Sequence, residues 1–479
     1  MHATEKTSKR RWWALAVLSV AQFLAILDTS IIGVALPDIQ DALGFSDSSL
    51  QWVFNAYVIA FGGLLLLGGR LADIFGARRV FALGFAVLTG ASLVAGFAQS
   101  DTVLIAGRAA QGLGAALLPP AAMALVMSLF AGTSEFPKAM GIWGAAAPAG
   151  GTAGVFLGGV ITEWISWRWT FLINVPVGLV VLAATPRLLP SLAGRRHRVD
   201  LAGAATITAA ISAAVYAIVT ANDNGWGSTT TIGLLAGSAA LLGAFVLIER
   251  TKEEPLVPLR IFRVPQLASA NTVMALLGAA WIPMWFFLNL YLQRVLGYGA
   301  FEGGAALLPM TLLIMVLMVG VTGRLVARYG FRAPTVVGLA LLAIGIAGLG
   351  RFPVGGSFAV DVLVPSLIAA AGMSLAFIPA LMAAISRAEP SDAGLASGLV
   401  NTTYQVGSAL GLAVATAIAA NATTTATLTS ETHGYRYALV AAALVAAAGA
   451  VVAAVGLRSR GTSHVVHASE TEAILDEAA

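Results

Sequence analysis

Residues 12–36 read WWALAVLSVAQFLAILDTSIIGVAL, a run whose only charged residue is Asp28. About 20 apolar residues in a helix cross the roughly 30 Å hydrocarbon core of a bilayer. The run follows the basic stretch MHATEKTSKRR. It leads to no small-residue cleavage site ahead of a soluble domain, so an uncleaved first span is expected rather than a signal peptide. Comparable runs recur along the chain near 50–69, 80–99, 102–127, 139–161, 168–188, 201–220, 229–248, 267–292, 303–323, 333–350, 358–380, 395–420 and 436–457, making fourteen candidate spans in all. Their length selects helices, since membrane strands are about 10 residues long and alternate in polarity.

Composition agrees. Of 479 residues, 58% are hydrophobic and 10% charged, with mean hydropathy +0.87. Soluble chains carry about 25% charged residues. Cysteine is absent, which excludes disulfide frameworks, thiolate metal sites and cysteine nucleophiles. The net charge of +4 is explained by topology rather than by nucleic acid. With the N-terminus placed inside, the 27 Lys and Arg fall on inner segments except Arg168, Arg294, Arg351 and Arg436 outside and Arg108 within a span. That bias is the positive-inside pattern. Both termini are therefore expected on the cytoplasmic side of a cell membrane.

The chain repeats itself. GRLADIFGAR at 69–78 closes span 2, and GRLVARYGFR at 323–332 closes span 10, an offset of 254 residues. Two parallel six-helix halves follow, with spans 7 and 8 as an extra pair between them. The expected organisation is an N-terminal segment 1–11, a first bundle 12–190, a linker with the extra spans 191–266, a second bundle 267–457 and a tail 458–479. The linkers 190–199 and 249–266 are charged, and the second is expected to hold a short surface helix. Internal repeats of this kind mark transporters that rock two bundles around a central site. The extra pair breaks that symmetry and carries few polar groups, so it is expected to be peripheral to the transport path.

Four stretches now carry a resemblance. LDTSIIGVALP at 27–37, the loop motif at 69–79, LIAGRAAQGLG at 104–114 and WRWTFLINVPVG at 167–178 resemble the motifs of the major facilitator superfamily, in particular its fourteen-span drug:proton antiporters. The resemblance implies an all-α membrane protein with the major facilitator fold, two six-helix bundles plus two extra helices. It implies export of drug-like small molecules, apolar or cationic, in exchange for protons by alternating access. There are departures. Val155 stands where the span-5 antiporter motif has proline, Ile74 and Ala77 replace residues that are usually basic, and Ala327 replaces the acid in the second loop copy.

Asp28 is the one acid well inside a span. A charge at that depth is costly and faces the bundle interior. It lies eight residues before Leu36, about 12 Å below the outer end at 1.5 Å per residue. Arg108 lies six residues after Thr102 on a helix running inward, about 9 Å deep. The two are expected to pair, and in this family such a carboxylate is the proton-coupling group. A fixed ion pair between two helices is the alternative. Gly69, Asp73, Gly76 and Arg78 form the conformational motif at the inner mouth, which in the family latches the halves. Candidate substrate-lining residues are Gln22, Asn55, Tyr57, Gln111, Trp281, Trp285, Asn289, Asn401 and Gln405. Trp281 and Trp285, one turn apart, suit a flat or cationic ligand, and lipid-facing packing explains them equally well.

Nothing points to catalysis. His2, His197, His433, His464 and His467 are expected outside the spans, no metal-ligand spacing occurs, and there is no Walker-type lysine. The expected cofactor is none, with the proton as coupling ion. The expected partners are a small-molecule substrate and the lipid bilayer, without nucleic acid, for a monomer. A proton-coupled symporter for a metabolite and a non-transporting membrane sensor are the rival functions.

Overall fold

The computed structural model describes residues 2–45, 47–191, 201–252, 255, 261, 266–385, 393–425 and 427–458. The basic run 194–198, the expected surface helix of the second linker and the tail lie outside these.

A segment in hydrocarbon must satisfy its backbone internally, and the described residues contain helices and no strand. The helices are α1 His2–Leu43, α2 Asp47–Phe75, α3 Ala77–Gly96, α4 Asp101–Phe130 and α5 Phe136–Trp164. Next come α6 Trp169–Leu188, α7 Leu201–Asn224 and α8 Thr229–Thr251. The remainder are α9 Leu267–Val295, α10 Phe301–Tyr329, α11 Arg332–Leu349, α12 Phe358–Ile385, α13 Ala393–Ala422 and α14 Leu428–Gly456. Among the described residues, 13 are long and apolar enough to span, and the fourteenth, α7, holds the shorter apolar stretch Ala202–Ile218.

Helix ends run past the apolar runs, because helix continues where hydrocarbon stops. α1 reaches from His2 to Leu43. α14 starts at Leu428, where the side chain of Thr427 accepts from the Ser430 amide. His433, expected outside the spans, therefore lies within its helix.

The repeat is visible in backbone geometry. Gly76 turns α2 into α3 with φ 89°, and Gly330 turns α10 into α11 with φ 71°, a left-handed region that glycine enters without a Cβ penalty. Packing repeats as well. A Cβ on Gly84 would lie 2.9 Å from the Gly114 carbonyl between α3 and α4, and one on Gly338 would lie 2.7 Å from the Gly372 carbonyl between α11 and α12. Between α1 and α5, Gly150, Gly154 and Gly158 sit on the backbone of Phe23, Leu27 and Ile31. Their counterparts Gly407 and Gly411 of α13 sit on Ala275 and Ala279 of α9. Lipid offers no hydrophobic drive between helices, so such close approach and its dispersion contacts hold the bundle.

The halves meet along two seams. On one, Gly141 of α5 meets Met318 and Gly144 meets Ile378, with Gly304 against Phe156 further along. The hydroxyls of Thr152 and Thr311 bond across this seam. On the other, a Cβ on Gly398 of α13 would lie 3.2 Å from the Leu65 carbonyl and 3.6 Å from the Gly69 Cα of α2. Toward the face carrying the N-terminus, both halves share one apolar core that includes Leu15, Leu125, Met140, Ile378 and Ile385. Toward the opposite face, the first half has its own smaller core of Ile32, Ile39, Phe45, Val53, Leu104, Trp167 and Phe171.

The extra pair is less peripheral than its composition suggests. α8 is the outer member, exposing Ile232, Leu242 and Leu247 and bonding α7 through Ser238 to the Ala210 carbonyl at 2.8 Å. α7 packs against both α2 and α13. Its Tyr216 stacks on Trp52 at 5.5 Å, and its Ile207, Ile211 and Val215 join the shared core.

We expect Gly154→Leu to destabilise the first bundle severely. Its Cβ alone would stand 2.7 Å from the Ser30 Cβ and 2.8 Å from the Leu27 carbonyl, and overpacking a tight core costs about 1–3 kcal/mol or more. Gly90→Leu, where nothing lies within 4 Å, is the matched control. Membrane accumulation and thermal midpoint in detergent should fall for the first and not for the second.

Candidate functional site

Three of the quoted motifs converge on one buried cluster. α1 contributes Asp28, 1% exposed. α4 contributes Arg108 and Gln111, both fully buried. The helix is started by Ser100, whose side chain accepts from the Val103 amide. α6 contributes Asn174, 1% exposed. This helix is interrupted at Ile173 and restarts at Asn174. Pro176 falls in the restarted first turn, where a missing N–H is tolerated. One turn on, Gly178 lets α6 press onto Thr89 of α3, which brings Asn174 beside Ser92.

The contacts are specific. Arg108 Nη1 donates to Asp28 Oδ2, forming a buried ion pair, and to Gln111 Oε1 at 3.0 Å. Arg108 Nε donates to the Val53 carbonyl at 2.7 Å. Gln111 Nε2 donates to Asp28 Oδ1 at 3.1 Å and to Ser92 Oγ at 2.8 Å. Asn174 Nδ2 donates to the same Asp28 Oδ1 at 2.8 Å and reaches Ser92 Oγ at 3.4 Å. The Tyr57 ring lies 4.5 Å from the guanidinium carbon, a favourable cation–π distance, and its hydroxyl donates to the Ala25 carbonyl at 2.9 Å. Both carboxylate oxygens are thus occupied by donors, as a buried charge requires.

The sequence places Asp28 and Arg108 at matching depth, and the structure joins them. Gln111 and Tyr57, expected along the substrate path, are engaged with this ion pair. Gln22 is buried and its Oε1 has no hydrogen-bond partner. Asn55 is also buried. Trp281 is buried within the shared core and Trp285 packs half-buried against it. Asn289 and Asn401 donate to carbonyls of their own helices, Trp285 and Ser397. Gln405 is half-buried. In the loop motif, Gly69 packs beneath Gly398 of the second half, Gly76 makes the turn, and Asp73 is half-buried. Arg78 donates to the Leu189 carbonyl at 3.4 Å, a bond that stays within the first half.

Sequence reasoning missed Ser92 and the role of Asn174. Asn174 stood inside a quoted motif, and an amide six residues past Arg168, the start of the span, is a signal in itself. Ser92 carries no signal in a span where other small polar residues occur.

The chain matches known proteins over most of its length. Residues 18–412 match the Major Facilitator Superfamily. The chain is 42% identical over 415 residues to the cephamycin export protein of Amycolatopsis lactamdurans, covering 86% of this chain and 85% of that one. It is 39% identical over 416 residues to the puromycin resistance protein of Streptomyces alboniger, covering 86% and 82%. It is 35% identical over 412 residues to the lincomycin resistance protein of Streptomyces lincolnensis, covering 85% and 84%. Among solved structures, the human organic anion transporter MFSD10 superposes with TM-score 0.67 at 14% identity, covering 93% of this chain and 99% of that one. A proton:xylose symporter does so with TM-score 0.67 at 13% identity, covering 93% and 95%. At such identities the likeness is one of fold.

Removing one member of a buried ion pair leaves an uncompensated charge, which costs about 3–5 kcal/mol. Arg108→Gln alone should therefore lower the thermal midpoint sharply. Asp28→Asn combined with Arg108→Gln should recover most of the loss, because two neutral amides replace two charges. Thermal unfolding of the three purified proteins in one detergent checks this.

Proposed function

Because this multi-pass membrane chain belongs to the Major Facilitator Superfamily, we propose that it exports small antibiotic-like molecules in exchange for protons. The observation that carries the reading is the buried carboxylate of Asp28, held by a guanidinium and two amides inside the first bundle. The buried negative charge is matched by the guanidinium of Arg108. A change in helix packing that moves Arg108 away leaves that charge uncompensated, and such a link between charge and packing is the minimum needed to couple a proton to a conformational cycle.

The relatives named for cephamycin export and for puromycin and lincomycin resistance support export over uptake and an antibiotic over a nutrient. A symporter would use the same ion pair, and no observation favours it. The basic face that holds the N-terminus is the cytoplasmic one by the positive-inside bias. The core shared by both halves at that face supports a path closed toward the cytoplasm in this conformation. Gly69 lies at this closure under Gly398, where the loop motif can act as a latch that forms and parts with each cycle.

The energetics suffice. A proton moving down one pH unit releases about 1.4 kcal/mol, and each 100 mV adds about 2.3 kcal/mol per charge. Together these hold an outward gradient of several hundred-fold for a neutral substrate per proton, at about 1.4 kcal/mol per tenfold.

Inverted vesicles tested with cephamycin C, puromycin and lincomycin decide the matter. A protonophore should abolish accumulation at constant ATP, vanadate should not, and Asp28→Asn should abolish uphill transport while the protein remains in the membrane. Accumulation that survives the protonophore and vanishes on sodium withdrawal would replace the proton with sodium.

A further inference from the structure

The three partners of Asp28 share one property. Arg108 Nη1, Gln111 Nε2 and Asn174 Nδ2 are all donors. That arrangement suits a carboxylate, which is acceptor-only. It does not suit a carboxylic acid, whose O–H needs an acceptor. Protonation therefore requires one partner to present something else.

Arg108 has no acceptor to offer. Gln111 has one but it is committed, because its Oε1 accepts from Arg108 Nη1 at 3.0 Å while its Nε2 donates to Ser92 Oγ at 2.8 Å. Asn174 is held at one end only. Its Oδ1 is buried and has no hydrogen-bond partner, an arrangement that leaves a desolvated acceptor unsatisfied at a cost of about 1–3 kcal/mol. Among the residues bonded within this cluster, Asn174 Oδ1 is the acceptor left without a partner. α2 brings Tyr57, whose hydroxyl is used on the Ala25 carbonyl, α3 brings Ser92, and α5 backs α1 with Gly150 and Gly154. From α6 the other neighbour is the Phe171 ring, 5.9 Å from the Arg108 guanidinium carbon. Arg108 and Tyr57 are the titratable groups that face Asp28 from these helices among the described residues.

We propose that Asn174 is the positioning residue that reads the protonation state of Asp28, turning its amide to exchange a donor for an acceptor. This rests on the proton-antiport reading above. A proton delivered from water adds to Asp28 Oδ1 and cancels the carboxylate charge. The new O–H donates to Asn174 Oδ1, brought round by a half-turn about the Cβ–Cγ bond, and Nδ2 moves to the place Oδ1 held. Arg108 keeps the Gln111 and Val53 oxygens and loses its counter-charge. Because Asn174 is the first residue of the restarted segment of α6, the exchange is made at the one break in that helix.

The test compares uphill, proton-driven export with substrate-for-substrate exchange in the absence of a proton gradient, in proteoliposomes. The probe is whichever of cephamycin C, puromycin and lincomycin the wild type exports best. Asn174→Leu keeps the size and removes both donor and acceptor. The ratio of uphill export to exchange should fall about tenfold, on the scale of one lost hydrogen bond to a charged group. Asn174→Ser restores a single group that both donates and accepts, and should recover the ratio. Asn174→Ala should not. An unchanged ratio in Asn174→Leu overturns the proposal. Should that variant fail to assemble, serine and alanine variants at equal expression decide it, and equal ratios in those two overturn it. A wild type that exports uphill without a proton gradient, or exports none of the three probes, removes the antiport reading itself. Coupled wild type with indifferent Asn174 variants removes only this inference.

Discussion

A pair of opposite charges placed where there is no water constrains everything around it. Asp28 and Arg108 each carry a desolvation penalty of several kcal/mol, and their attraction offsets it only when the remaining lone pairs and protons are also bonded. The requirement draws in Val53 from α2, Ser92 from α3, Gln111 from α4 and Asn174 from α6, and leaves Arg108 Nη2 as a buried donor without a hydrogen-bond partner. Five helices must therefore arrive at one depth with fixed rotation. Glycine makes that possible. Gly112 rests on the Tyr57 carbonyl, Gly154 on α1 and Gly178 on Thr89, and each removes the side chain that would hold its helix away from the cluster.

The two halves share architecture but not chemistry. Close packing recurs at corresponding places, as Gly84 with Gly114 and Gly338 with Gly372 show. No buried ion pair appears among the described residues of the second half. Its polar side chains mostly return to their own helices, as Asn289, Asn401 and Ser408 do. Its backbone departs from regular α-helix instead, with π-helical turns at Tyr291–Val295, Met318–Thr322 and Phe358–Leu363. Such turns often mark functional positions, and the middle one lies where Gly141 of α5 presses on the second half. Among the described residues, the buried ion pair lies in one half and the π-helical turns in the other.

What could be read from the chain follows from what sequence encodes directly. Hydropathy gives depth along a helix axis, so the spans, their charge bias and the matching depth of Asp28 and Arg108 were legible. The repeated Gly76 and Gly330 were legible because a turn between spans demands a residue without Cβ. Rotation about the helix axis was not legible. The spans are apolar on nearly every face, so no stripe distinguishes a side that meets lipid from one that meets a neighbour. For that reason Ser92 passed unnoticed, the contacts of Gln111 and Tyr57 with the ion pair were not foreseen, and Trp281 could not be placed. The seat of α7 on α2 and α13 was hidden in the same way, since Ile207, Ile211 and Val215 look no different from lipid-facing residues.

That seat also explains why the insertion consists of two helices. α7 crosses to the far face and α8 returns, so α9 enters from the same face as α1. Parity is the governing quantity. An even number of added crossings leaves the second half in the orientation of the first, and an odd number would turn it upside down. Gly330 would then open on the face opposite Gly76, and α13 could no longer bring Gly398 against Gly69. An insertion between parallel repeats is thus confined to even counts, and a hairpin is the smallest that a two-fold related pair can accept.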